Sequence, residues 1–262
     1  MSDAPEVATS TEGRDLGSAR SQTPPARWVS EPEAAALLHR YGIAYPDHEL
    51  AKDAAQAVAA ATRIGYPVVM KVVSGQIVHK SEVGGVIVGL ANERALRRGF
   101  RTLRERARAN APASVLDGVL IASQAPSGLE LIIGGHRDAI FGPVVAAGLG
   151  GTLVEVLGDV ALRLAPLTSR DARAMIDETK LANLLAGSRG SPALDRPAVE
   201  QLLLAVSELL VAESDVIELD LNPVRAYETR CLALDVRLRV ASTLDSTTEP
   251  AGRGSGPACG MS

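Results

Sequence analysis

The residue pattern predicts an α+β fold. Three observations carry that expectation: short apolar runs bounded by Gly and Pro read as strands, longer capped segments read as helices, and the two alternate without the strict βαβ order of a doubly wound sheet. With 262 residues, the chain has room for one large domain or two small subdomains. No repeat of solenoid period is visible.

Residues 1–27 and 243–262 are rich in Ser, Thr, Pro and Gly and lack periodicity, so they bury too little apolar surface to offset ordering entropy and are expected to be disordered tails. The first helix is signalled by Ser30 and Glu33 as a capping box, with Pro32 in the first turn, and stops at Gly42. A second helix, about Asp53 to Ile64, ends at Gly65 and Pro67. Strands follow at 67–73 and 85–90, then a helix from the Asn92 cap to about Ala109 whose Arg-rich face reads as solvated. Val115 to Ser123 and Leu129 to His136 read as two strands about a Pro126, Ser127, Gly128 turn. Ile140 to Ala147 is a strand running into Gly148, Gly150 and Gly151. A strand at 160–164, helices at about 169–186 and 196–212, and strands at 215–222 and 231–240 complete the folded region.

A net charge of −4 argues against a nucleic-acid partner, whose electrostatic footprint would be basic. Cys231 and Cys259 form neither a disulfide framework nor a metal cluster. The N-terminus has no apolar signal region and no run approaches the roughly 20 apolar residues that span a bilayer, so a soluble, cytoplasmic protein without a membrane partner is expected.

The segment PVVMKVVSGQIVHKSEVGGVIVGL, from Pro67 to Leu90, carries the most chemical information. Lys71 has valines and a methionine on both sides, so its ammonium calls for an anion, and a phosphate would serve. The competing reading is a strand-edge lysine that snorkels to water. His79, Lys80, Ser81, Glu82, Gly84 and Gly85 make a polar loop whose glycines would let backbone N–H groups approach an anion. Those glycines, and the run at 148–151, equally suit tight turns, and no Walker A pattern is present.

In VIELDLNP, Glu218, Asp220 and Asn222 share one strand face while Ile217, Leu219 and Leu221 take the other. A hairpin centred between Glu228 and Thr229 would set Asn222 opposite Asp235, Asp220 opposite Arg237 and Glu218 opposite Arg239. Opposed Cβ atoms lie about 4.5 to 5.5 Å apart, close enough for Asn222 and Asp235 to share a magnesium ion. Mg2+ takes one or two protein oxygens and fills its shell with water and phosphate. The plainer reading of this face is an exposed hairpin with two weak cross-strand ion pairs.

Together, GYPVVMKVVSGQIVHKSEVGGVIVGL, GLELIIGGHRDAIFGPVVAAGLGGTLVE, RLAPL and ELDLNPVRA resemble the ATP-grasp subunit or domain of nucleoside-diphosphate-forming acyl-CoA synthetases, relatives of the succinyl-CoA synthetase β subunit. The resemblance runs from about Trp28 to Val240. It implies an ATP-grasp fold with two α+β lobes, 28–123 and 124–242, and the nucleotide between them. It also implies that Lys71 contacts the nucleotide phosphates, that the backbone of Ser123, Gln124 and Ala125 reads adenine at a hinge, and that Glu130 meets the ribose side. Asn222 and Asp235 match the magnesium ligands. His79 falls on the histidine of a mobile HKS(D/E)VGG loop that carries a phosphoryl group to the nucleotide, with Glu218 or Asp220 as the carboxylate that orients it. Imidazole is nucleophilic near neutral pH, and phosphoryl transfer needs mainly positioning and charge neutralisation.

Glu82 stands where the family commonly has Asp, and Gly75 replaces a frequent Pro. The resemblance further implies a partner α subunit with CoA-binding and ligase domains, in a heteromer of α2β2 type or another stoichiometry. The reaction implied is that of an ADP-forming acyl-CoA (acetate–CoA) ligase using ATP or ADP, phosphate and acyl-CoA with Mg2+. Two other functions compete with it. One is a regulatory nucleotide-binding ATP-grasp domain without turnover, the other an ATP-grasp carboxylate–amine ligase, which needs no phosphohistidine.

Overall fold

A computed structural model describes residues 26–77, 79–151, 159–187 and 190–242. Apart from Ala26 and Arg27, both expected tails lie outside the described residues.

The elements in chain order are β1 (Ala26–Trp28), α1 (Glu31–Arg40), β2 (His48–Ala51), α2 (Ala54–Ile64), β3 (Val68–Val73), β4 (Val86–Leu90), α3 (Glu93–Asn110), β5 (Gly118–Ser123) and β6 (Leu129–Asp138). They continue as β7 (Gly142–Leu149), β8 (Val160–Leu164), α4 (Ser169–Asp177), α5 (Leu181–Leu185), α6 (Arg196–Ala212), β9 (Val216–Ala226), β10 (Cys231–Ala233) and β11 (Val236–Ala241).

Two sheets, each over its own apolar core, make two lobes. The small lobe has the strand order β2-β5-β3-β4 and packs Val68, Met70 and Val72 of β3 with Val119 and Ile121 of β5 under α2 and α3. The large lobe has the order β1-β11-β9-β6-β7-β8, with β10 also on β9. Leu131, Ile133, Leu219 and Leu221 there meet Met175, Ile176, Leu203 and Val206 of the covering helices. Sequence caps fix the helix starts: the Asp53 carboxylate accepts from the Ala55 and Gln56 amides at 2.8 Å each, and Asn92 caps α3 through Ala95.

The lobe boundary differs from the expected 28–123. β1 and α1 belong to the large lobe, because β1 pairs with β11 while Ala34, Leu38 and Ile43 bury in the large core. Nor do the strands around Pro126 form a hairpin. β5 ends in the small sheet and β6 begins in the large one, so 124–128 connects the lobes, as does the segment between α1 and β2. The helix expected over 169–186 is two helices, α4 and α5, and β2, a partner of β5, escaped the sequence reading. Among the described residues no helix is long and apolar enough to cross a membrane.

The register of the closing strands follows the turn chemistry. Asp220 pairs with Arg237 and Glu218 with Arg239, as the two-residue turn requires. Between β10 and β11 the strand is interrupted at Leu234 and Asp235. Leu234 N still donates to the Pro223 carbonyl at 2.9 Å, while the Leu234 carbonyl and the Asp235 carboxylate meet Lys71 of the other lobe.

Candidate functional site

Period-two alternation on β3 decides where the lysine points. Val68, Met70 and Val72 enter the core, whereas Val69 and Lys71 face a cleft of about 710 Å3 between the lobes. Val69, Val86, Val88 and Ala122 give that cleft an apolar small-lobe wall. Ser123 to Ser127 form its back, and Asn222, Pro223, Arg225, Leu234, Asp235 and Arg237 supply the opposite, polar wall. A second hollow of about 530 Å3 beside α1, β2 and α2 contains no buried charged residue.

Lys71 meets the anion its ammonium calls for within the protein itself, where a bound phosphate was the expected counter-charge. Its Nζ lies 2.5 Å from Glu31 Oε1 and 3.2 Å from Asp235 Oδ1, and donates to the Leu234 carbonyl at 2.5 Å. Lys80 joins from the histidine loop, 3.0 Å from Asp235 Oδ1 and 2.8 Å from Glu31 Oε2, the latter off the line of a hydrogen bond. The Tyr45 hydroxyl donates to Glu31. Two carboxylates thus balance two ammoniums in a quartet whose Glu31 side chain is only 1% exposed.

The electrostatics follow from this arrangement. Burial works to raise the Asp235 carboxyl, but Lys71 and Lys80 outweigh it and hold the group below the usual carboxylate range. Burial works to drain the proton from Lys80, and Glu31 and Asp235 overcome that and hold it above the ordinary lysine value. Tyr45 is pushed well above 10 by burial and by the charges of Glu31 and Asp235. Asp220 is raised, chiefly by burial, with Arg237, 3.8 Å away, and His79 pulling the other way against Asp235 and Glu218.

Of the residues singled out from sequence, Lys71, Ser123, Gln124, Ala125, Asn222 and Asp235 line the cleft together. Asn222 and Asp235 are the oxygen donors this wall offers to a hard cation, and the ionised Asp235 suits one. Among the described residues no group of three or more His, Cys, Asp or Glu forms a metal cage, so further ligands would have to come from phosphate or water. The Ser123 and Gln124 amides donate to the Asp47 and Pro67 carbonyls, and the Gln124 side chain accepts from Gly89, which ties the connection to the small lobe.

Glu130 stands behind the wall. Its carboxylate takes Arg225 at 2.8 Å, and Arg225 also donates to the Ala125 and Pro126 carbonyls, so the pair braces the connection. Glu218 lies outside the cleft lining on β9, opposite Arg239 and His136. His79 is 55% exposed, with Nδ1 3.6 Å from Glu82. The expectation that Gly84 and Gly85 offer amides to an anion is corrected. Gly84 N donates to Ser81 and Gly85 N to Lys80 at 2.7 Å, closing the loop on itself. A Cβ on Gly85 would sit 2.5 Å from Val72 Cγ2, so the glycine is there for space.

Sequence reasoning missed Glu31, Tyr45 and Arg225, and it placed Lys80 in the polar loop and Arg237 opposite Asp220 without giving either a role in the site. Glu31 looks like an ordinary acidic residue in a first helical turn, and no local pattern tells it from Glu33. For Lys80 a signal existed, since it directly follows His79 in the loop motif.

The two-lobed fold has counterparts in known proteins. The family model described as ATP-grasp domain matches residues 20–240. The chain belongs to the ATP-grasp family. Within it, this ATP-grasp chain is 44% identical over 212 residues to the acetate–CoA ligase (ADP-forming) I subunit beta of Pyrococcus furiosus, covering 81% of this chain and 91% of that subunit. Among solved structures it matches the dinucleotide forming acetyl-coenzyme A synthetase 1 of Ca. Korarchaeum cryptofilum, in complex with coenzyme A and Ca-AMPCP. That match has a TM-score of 0.80 at 42% identity and covers 82% and 93% of the two chains. A Mg-AMPPCP complex of that synthetase has its phosphohistidine segment pointing towards the nucleotide binding site and matches with a TM-score of 0.71 at 39% identity, over 81% and 92%. The ATP-grasp chain therefore falls in the branch of ADP-forming acyl-CoA ligase subunits.

Proposed function

We propose that this chain is the nucleotide-handling subunit of an ADP-forming acyl-CoA ligase, passing a phosphoryl group between His79 and ADP bound in the interlobe cleft. The observation that carries the proposal is a cleft with an apolar small-lobe face, Val69, Val86, Val88 and Ala122, from which Lys71 reaches toward Asn222, Asp235, Arg225 and Arg237 on the opposite wall. An apolar wall suits a purine face, and cations opposite it suit a polyphosphate.

In this reading the connection Ser123 to Ala125 meets the base, with Glu130 holding Arg225 in place behind the ribose side. Lys71, rooted mid-strand, holds the phosphates. Bound Mg2+, held by Asn222 and Asp235, would neutralise phosphate charge. The His79 imidazole nitrogen attacks the phosphorus of an acyl phosphate presented by the partner subunit, an N–P bond forming as the P–O bond to the acyl group breaks and the free carboxylate leaves. A terminal ADP oxygen then attacks phosphorus as the N–P bond breaks, giving ATP and free imidazole. Asp220 or Glu218, on one face of β9, would be the carboxylate that orients the ring. The Gly84 and Gly85 turn shapes the carrier loop. A partner α subunit with CoA-binding and ligase domains supplies the acyl-CoA chemistry, α2β2 being one assembly open to it.

The test reconstitutes the chain with its α partner, acetyl-CoA and radiolabelled phosphate. An acid-labile label on His79, absent in His79→Ala, is expected. Full turnover with no label, or undiminished turnover in His79→Ala, refutes the shuttle and leaves a regulatory or carboxylate–amine ligase role.

A further inference from the structure

We infer that Lys80 is a latch on the histidine loop: its ammonium occupies Asp235 where a metal's charge would go, and metal binding there expels it and frees His79. This inference rests on the assignment of Asn222 and Asp235 to a divalent cation.

The loop is fastened mostly to itself and to its own lobe. Glu82 N donates to His79 O, Gly84 N to Ser81 O and Gly85 N to Lys80 O, while Asn110 of α3 donates to Val83 O at 3.1 Å. His79 points outward, and its imidazole pairs only with Glu82 of the same loop among the described residues. The tie across the cleft is the buried Lys80 side chain, held by Asp235 beside β11 and Glu31 on α1. One residue along the chain from His79, that tie fixes where the histidine stands.

Asp235 Oδ1 serves two ammoniums, Lys71 at 3.2 Å and Lys80 at 3.0 Å. A magnesium ion about 2.0–2.1 Å from the same oxygen would lie within about 5 Å of both nitrogens, three like charges around one atom. The two lysines are not equally replaceable. Lys71 sits in the middle of β3 and keeps the Leu234 carbonyl and Glu31 Oε1 without Asp235. Lys80 sits on a loop and keeps a single partner, its 2.8 Å ion pair with Glu31 Oε2. Lys80 therefore leaves. Loading the cation site and unlatching the histidine become one event, so the carrier loop moves only when the site is charged.

The test uses the full chain without nucleotide and Mn2+ as the probe, with affinity read by EPR titration and loop freedom by hydrogen exchange over residues 79–85. In the wild type, saturating Mn2+ should speed loop exchange at least fivefold. Lys80→Met should exchange at that faster rate without metal and bind Mn2+ at least tenfold more tightly, and Lys80→Arg should restore metal-dependent exchange. Asp235→Asn should lose Mn2+ binding. Mn2+ binding that needs Asp235 but changes neither loop exchange nor, in Lys80→Met, affinity overturns the latch and leaves the metal assignment standing. Failure of Mn2+ to bind wild type or Lys80→Met overturns the assignment and the latch together. Should Lys80→Met not fold, the wild-type exchange measurement alone decides.

Discussion

Replacing Glu31 with Gln removes one charge from the buried quartet and leaves two ammoniums facing a single carboxylate. Glu31 is 1% exposed and Lys71 and Lys80 each 10%, so water cannot replace the lost charge. Stripping one partner from a buried ion pair costs about 3–5 kcal/mol, whereas a solvated pair is worth at most about 1 kcal/mol. For a chain of this size each kcal/mol shifts Tm by about 2–4 °C, so Glu31→Gln should melt roughly 6–20 °C lower. Urea unfolding followed by circular dichroism in EDTA measures the free energy directly, through a lower midpoint at constant slope. Adding Lys80→Met restores charge balance, and the double variant should recover more than half of the loss. Saturating Mg-ATP, whose phosphates bring negative charge to the same lysines, should stabilise Glu31→Gln more than wild type. A Glu31→Gln protein within about 1 kcal/mol of wild type refutes the reasoning, because the ammoniums would then be solvated.

Gly85→Ala places a Cβ 2.5 Å from Val72 Cγ2 and 2.9 Å from the Lys80 carbonyl, and should cost about 1–3 kcal/mol in urea unfolding. Gly75→Ala, with open space around it, should stay within about 0.5 kcal/mol as the control. Burial pushes the Cys231 thiol up to about 11, with Asp195 adding to the effect, so in a Cys259→Ser background it should react with Ellman's reagent at pH 8 far more slowly than a free thiol and react fully only after urea. Asp235 has a folded-state pKa below its unfolded value of about 3.9, so its stabilisation is full above that value and is lost as pH falls through the lower, folded one. In EDTA, the stability gap between wild type and Asp235→Asn should accordingly be constant from pH 6 to 8 and shrink below about pH 4, as acid titrations of both proteins will read out.

Much of the local structure was legible because it depends on neighbours in sequence. The Asp53, Asn92 and Ser30 caps, the Gly42 stop and the two-residue turn at Glu228 and Thr229 act within a few residues, and the turn alone set the Asp220–Arg237 and Glu218–Arg239 pairs. The motifs around Lys71, His79 and Asn222 made the family legible. The assignment of β1 and α1 to the large lobe was not, nor the separation of β5 from β6, because which sheet a strand joins depends on distant partners.

Sequence by itself determined the α+β character, most helix ends, the closing register and the residues that face one another across β9 and β11, since backbone hydrogen bonding and period-two alternation are local rules. Only the tertiary structure decided what the buried lysine meets. Glu31, Lys71, Lys80 and Asp235 span some two hundred positions of chain, and they converge because two lobes close on one cleft. Charge compensation in a low-dielectric interior depends on distance in space, which no spacing along the sequence encodes.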